Sequence, residues 1–137
     1  MKTTDYLILI ILGLTVAVTA CQKDKESKSK EEILCSDSWK ISSYKLNDEE
    51  ISLTECQRDN YLTFNSNGTY TDYTGPILCD IYETNINGTW TLSDDGKTLT
   101  LESVQGVQSA SVEITASKLV LTILDDTDII VIECIPY

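Results

Sequence analysis

Histidine is missing from all 137 positions of this chain, which removes the usual general base of serine and cysteine triads. The five cysteines show no C-x-x-C spacing, so neither half of a common zinc site is present. No glycine-rich phosphate loop occurs. Basic side chains are scarce, 10 Lys and Arg against 22 Asp and Glu, for a net charge of −12. That balance opposes phosphate backbones and supplies no basic stripe for counterion release, which excludes nucleic acid as a partner. It also repels an anionic membrane surface. Carboxylates alone could serve as acid and base, but Asp48, Glu49, Glu50 and Glu55 crowd a single connection and read as a solvated acidic loop. Asp94-Asp95 and Asp125-Asp126-Thr127-Asp128 lack the glycine and distal glutamate of an EF-hand. No catalytic residue, metal or cofactor is assigned.

What is present begins with an apolar run. Lys2 is a short positive region, and Tyr6 to Leu14 form an apolar core broken only by Gly13, the organisation of a secretory signal. The apolar stretch to Ala20 is shorter than the ~20 residues of a membrane helix. Val18-Thr19-Ala20-Cys21 places an aliphatic residue and two small ones directly before a cysteine, and resembles the lipobox of bacterial lipoprotein signal peptides. The resemblance implies a signal peptide over 1–20 and a diacylated Cys21 as first mature residue. Two acyl chains suffice for stable anchoring, since each buried methylene contributes about 0.8 kcal/mol. Processing there removes one basic and one acidic residue, Lys2 and Asp5, and leaves the charge unchanged. Residues 21–34 are then the lipidated cysteine and a charged tether, expected to be flexible because it has little to bury. Its start, Gln22-Lys23-Asp24, is similar to the export signal of Bacteroidota lipoproteins. This implies an outer-membrane lipoprotein displayed on the cell surface, with a periplasm-facing location as the alternative.

Residues 35–137 are enough for one domain and too few for two. Trp39 to Lys45 alternates β-branched or aromatic residues with polar ones, as a half-buried strand does. Asn60 to Phe64 and Thr69 to Tyr73 flank Asn65-Ser66-Asn67-Gly68, and Gly88 to Leu92 and Lys97 to Glu102 flank Ser93-Asp94-Asp95-Gly96. Each turn offers the positive φ of a tight hairpin. Strands are predicted at 39–45, 60–65, 69–73, 80–84, 88–93, 97–102, 109–115, 117–124 and 128–134. A meander of about eight strands either leaves two open edges or curls shut, and closure removes the aggregation hazard. The fold class is therefore all-β, a small up-and-down antiparallel barrel, with a two-sheet sandwich as runner-up.

Trp39-Lys40-Ile41, Cys56, Tyr61 to Tyr70 with Phe64-Asn65-Ser66-Asn67-Gly68 at its centre, Cys79, Asn87-Gly88-Thr89-Trp90 and Leu99-Thr100-Leu101 follow one another in an order that resembles the lipocalin-like domain of Bacteroidota lipoproteins. The Gly-x-Trp of classical lipocalins is not met, since Asp37 stands two before Trp39. Thr71-Asp72-Tyr73 matches part of a second classical motif too early in the chain and is set aside as coincidence. The resemblance implies a β-barrel able to enclose an apolar ligand.

With Cys21 committed to lipid, Cys35, Cys56, Cys79 and Cys134 remain in an oxidising compartment, where four cysteines allow three pairings. The family pattern implies Cys56 with Cys79. Cys35 with Cys134 follows from the need of first and last strands to neighbour each other in a closed barrel. The chain-entropy model gives about 3 and about 5 kcal/mol for these loops. Trp39, Phe64, Tyr70 and Trp90 are candidates either to line a ligand cavity or to fill the barrel, because eight strands lie at the size where both occur. Tyr44, Tyr61, Tyr73 and Tyr82 are expected to face outward. Function is therefore expected to be a lipid-anchored, non-catalytic module whose partners are the membrane, through Cys21, and a small apolar or amphipathic ligand or a protein. The alternative is a filled-barrel subunit of an outer-membrane assembly.

Overall fold

A computed structural model describes residues 27–137. The signal peptide, Cys21 and the Gln22-Lys23-Asp24 signal lie outside the described residues.

The first element is a short helix, α1 (Lys30–Leu34), in the segment expected to be tether. It forms because Ser29 and Glu32 make a capping box: Ser29 Oγ accepts from the Glu32 N–H at 3.1 Å and Glu32 Oε2 accepts from the Ser29 N–H at 2.7 Å. Five residues do not hold a helix by themselves. Tertiary contacts do so here: Leu34 is fully buried, its carbonyl accepts from Trp39 Nε1 at 2.9 Å, and Lys30 Nζ donates to the Gly96 carbonyl at 2.7 Å. The flexible segment therefore cannot extend through Lys30–Leu34.

Strands follow in the order β1 (Ser38–Leu46), β2 (Glu49–Ile51), β3 (Tyr61–Phe64), β4 (Thr69–Tyr73), β5 (Ile86–Leu92), β6 (Thr98–Ser103), β7 (Gly106–Thr115), β8 (Lys118–Asp125) and β9 (Asp128–Pro136), with a one-turn helix α2 (Glu55–Arg58) between β2 and β3. Every ladder is antiparallel. β1 pairs with β3 through Ser38–Lys40 on one side and with β9 over most of its length on the other, which closes an eight-stranded ring. The closed ring rules out the sandwich. β2 lies outside it as a hairpin extension of β1, joined by Asn47 and Asp48 at φ 51 and 67, the two positive φ values of a type I′ turn. Both hairpins expected from Asn-Gly and Asp-Gly steps form, with Gly68 at φ 81 and Gly96 at φ 64.

Two expectations are corrected. Residues 80–84 are not a strand: Glu83 Oε2 accepts from the Cys79 N–H at 2.7 Å and the Glu83 N–H donates to the Asp80 carbonyl, so the segment turns back on itself instead of extending. Cys56 and Cys79 are bonded, but Cys35 and Cys134 are free thiols. The first and last strands do neighbour each other, yet Cys134 stands opposite Ile41 in that ladder while Cys35 caps α1, its N–H donated to Glu31 at 3.0 Å. The seam is held by main-chain hydrogen bonds, and the two thiols fall out of register across it.

Strand alternation sends Trp39, Phe64, Trp90, Leu99, Val112, Ile114, Leu119, Leu121 and Cys134 inward as the core, with Leu34 beneath them. Phe64 meets Trp90 edge to face at 5.9 Å, and Trp90 Nε1 donates to the Asn65 carbonyl, so the indole is buried with its N–H satisfied.

Candidate binding cavity

The core fills only one end of the barrel. Above it lies an apolar chamber of ≈160 Å³ bounded by Ile41, Leu62, Leu99, Leu101, Ala110, Leu121, Ile123 and Ile132, with Tyr61, Asp72 and Gln108 in its wall. It adjoins a wider, more polar vestibule of ≈500 Å³ at the turns joining β6 to β7 and β8 to β9, where Ser103, Gln105, Ser109 and Asp125 replace the apolar lining. Leu62, Asp72, Leu101, Gln108 and Ile123 border both spaces. The smaller space is close to the ~150 Å³ of an engineered apolar cavity that takes up benzene, so it holds one compact apolar group.

Asp72 is the chemical centre of this wall. It lies opposite Leu62 in the β3–β4 ladder and two residues after buried Tyr70, and strand parity therefore turns it inward. Loss of water, chiefly, and the nearby charge of Glu83 together push its carboxyl up to about 6. No hydrogen bond or cation among the described residues acts against either effect. Asp72 in turn helps raise Cys134, whose thiol is pushed up to about 12, chiefly by burial. So high a value keeps that thiol protonated and unreactive.

Glu83 is fixed where its charge is felt. Its carboxylate accepts from the Cys79 N–H at 2.7 Å and from Asn60 Nδ2 at 3.4 Å. The connection that carries it, 74–85, is tied to α2 and the start of β3 by the Cys56–Cys79 bond, by the Ile77 N–H donating to Asp59 and by the Gly75 N–H donating to Asn60. Gly75 lets the chain pass close to Asp59, since a Cβ there would displace the Asp59 carboxylate. Around the mouth Ile77, Leu78, Ile81, Tyr82, Val104, Val107 and Leu124 are exposed.

Of the four aromatic candidates, Trp39, Phe64 and Trp90 belong to the packed floor and touch neither space, whereas Tyr70 borders the vestibule. Sequence reasoning missed Asp72 and Gln108. The signal was parity, since both sit two residues from inward hydrophobic positions, Tyr70 and Ala110. The acidic loop stays apart from the cavity: Glu49 and Glu50 are exposed on β2. Asp95 accepts from Ser93 Oγ and Lys97 N–H and Asp128 from Asn47 Nδ2, which is turn chemistry. Among the described residues no three His, Cys, Asp or Glu side chains are grouped to hold a metal. On the outer face Tyr61 stacks between Tyr73 and Tyr137 at 4.8 and 5.0 Å, with Lys40 over the Tyr137 ring.

Residues 36–121 match the lipocalin-like domain family. The chain belongs to that family. The lipocalin-like barrel is also similar to the crystal structure of a DUF4847 family protein from Bacteroides vulgatus, with a TM-score of 0.54 and 15% identity over 78% of this chain and 96% of that one. At that identity the likeness is one of fold. No curated protein matches the chain.

Proposed function

We propose that this lipocalin-like protein is a non-catalytic binding module, anchored to the outer membrane by lipid on Cys21 and displayed at the cell surface, that takes a small apolar or amphipathic molecule into its barrel. The observation that carries the reading is the apolar chamber left between the packed floor and the open mouth. The Lys30 contact to Gly96 lies at the floor, the end opposite the mouth, which supports an attachment that leaves the mouth accessible.

Titration of the purified protein with 2-phenylethanol, a neutral probe whose ring suits the chamber, tests the binding reading. Saturable uptake that is lost in Ala110→Leu, which fills the chamber, is the expected result; no uptake, or uptake indifferent to Ala110→Leu, overturns it. Labelling with a radioactive fatty acid tests the anchor, and label retained by Cys21→Ser would defeat it. The exposed apolar rim, Ile81, Tyr82 and Val104 above all, favours a second reading as an interaction subunit that docks a partner over the mouth. A barrel that binds no small molecule but is captured whole in an outer-membrane complex would select it.

A further inference from the structure

The side chains lining the chamber and vestibule include two that carry charge, Asp72 and Asp125, and none that is basic. The acidic one that reaches the inner chamber, Asp72, also has no protein cation beside it. A half-buried carboxylate in an apolar wall needs a hydrogen-bond donor when it ionises, and among the described residues no hydrogen bond to Asp72 is formed. We propose that the cavity selects an apolar amine: a compact hydrocarbon or aryl group enters the chamber and its ammonium sits against Asp72 and the amide oxygen of Gln108. The inference rests on the binding reading above and deepens it.

Charge decides between ligand classes. A fatty acid would bring a second carboxylate into a wall that already holds Asp72, with Glu83 close enough to raise it. Like charges in so poor a solvent repel strongly. A neutral alcohol can donate one hydrogen bond. An ammonium donates up to three and neutralises the site, and such charge-assisted bonds are roughly twice as strong as neutral ones. The chamber admits about one ring, so the amine lies one or two carbons beyond the apolar body, at the level where Asp72 and Gln108 border both spaces.

The titratable groups near Asp72 are Glu83 from the β4–β5 connection and Cys134 on β9, with Tyr70 on β4 and Asp125 at the mouth lining the vestibule that Asp72 borders. Cys134 stays neutral over the physiological range. Without an ammonium beside it Asp72 titrates at about 6, so an incoming amine finds its partner charged at pH 7.5 and largely protonated at pH 5.

The test compares 2-phenylethylamine, 2-phenylethanol and 3-phenylpropionate by calorimetry with the purified protein. At pH 7.5 the amine is expected to bind about tenfold tighter than the alcohol and the acid to bind weakest. Lowering the pH to 5 should erase most of the amine's advantage and leave the alcohol unchanged. Asp72→Asn should abolish the amine preference while the alcohol still binds; Glu50→Gln, an exposed charge on β2, should leave the preference intact. Should Asp72→Asn fail to fold, the wild-type pH profile decides alone. Equal binding of amine and acid, an amine preference that survives at pH 5 or in Asp72→Asn, or one that disappears in Glu50→Gln, overturns the inference while the alcohol's binding keeps the cavity. If none of the three binds, the cavity reading falls with it.

Discussion

The two ends of this barrel are built from the same strands with the same alternation, yet they have become different materials. At the floor the inward positions of β1, β3 and β5 carry Trp39, Phe64 and Trp90, and α1 pushes Leu34 up beneath them. At the mouth the same parity delivers Asp72, Ser103 and Gln108. Eight strands enclose a width that large aromatic side chains fill and small or polar ones do not. The chamber is therefore a consequence of side-chain volume along each strand, not of backbone shape. Order at the mouth has to come from elsewhere, and the Cys56–Cys79 bond with the Asp59, Asn60 and Glu83 hydrogen bonds supplies it.

The largest effect expected from this contrast is at Trp39, fully buried and hydrogen-bonded to α1. Trp39→Ala should lose about 3–5 kcal/mol, read as a shifted urea midpoint. Leu101→Ala, in the partly buried chamber wall, should lose roughly 1–2 kcal/mol, because the side chain already borders open space. Equal losses at the two sites would mean that the ends do not differ in packing.

Next in size is the disulfide. Its 23-residue separation corresponds to about 3 kcal/mol in the chain-entropy model. Replacing Cys56 and Cys79 by serine should cost that much, and hydrogen exchange should accelerate first in 74–85 while the floor strands stay protected. Exchange that rises uniformly would show the bond to support the whole barrel.

Asp72→Asn comes third and has the opposite sign. The folded carboxyl titrates at about 6, above its ordinary 3.8, so its ionised form opposes folding. The penalty is absent below about pH 4, grows between about 4 and 6, and is complete above. Its full-burial value is about 3 kcal/mol, reduced to roughly 1–2 by remaining contact with water. The variant should gain that stability at pH 7.5 and nothing at pH 4. A gain independent of pH would locate the effect in packing instead of charge.

How much of this was readable in the chain differs between the two ends. The strands of the floor announce themselves, because Trp39, Phe64 and Trp90 lie on alternating strands, the last two beside Asn-Gly and Asp-Gly turns, and local rules for those elements agree with the fold. Whether these aromatics pack or line a cavity stays open until the structure puts all three in the floor. α1 was missed although Ser29-x-x-Glu32 before Ile33-Leu34 is a capping signature; its charged composition outweighed it. The mouth was harder for a physical reason. A polar residue at an inward position violates the alternation that identifies strands, so Asp72 was passed over although it stands two residues after Tyr70, and the register opposite Leu62 shows where it points. The failed Cys35–Cys134 bridge is the same kind of error: closure makes strands neighbours, but only register makes side chains meet.

The smallest expected effect is the sharpest on the boundary between the two ends. Ala110 and Val112 are both buried and both point inward, two residues apart on β7. Ala110 borders the chamber and Val112 does not. Lengthening each to leucine therefore asks whether free volume begins between them. Val112→Leu adds a methylene to packed floor, which should cost about 1 kcal/mol or more through overpacking. Ala110→Leu places three carbons in a space that can receive them. Filling it should be neutral or raise stability by up to ~1 kcal/mol, since burial of those methylenes is offset by side-chain ordering and by displaced water. Opposite signs in paired thermal melts locate the edge of the chamber between these two residues. Destabilisation by both would mean that the floor extends past Ala110, leaving room for a ligand only in the polar vestibule.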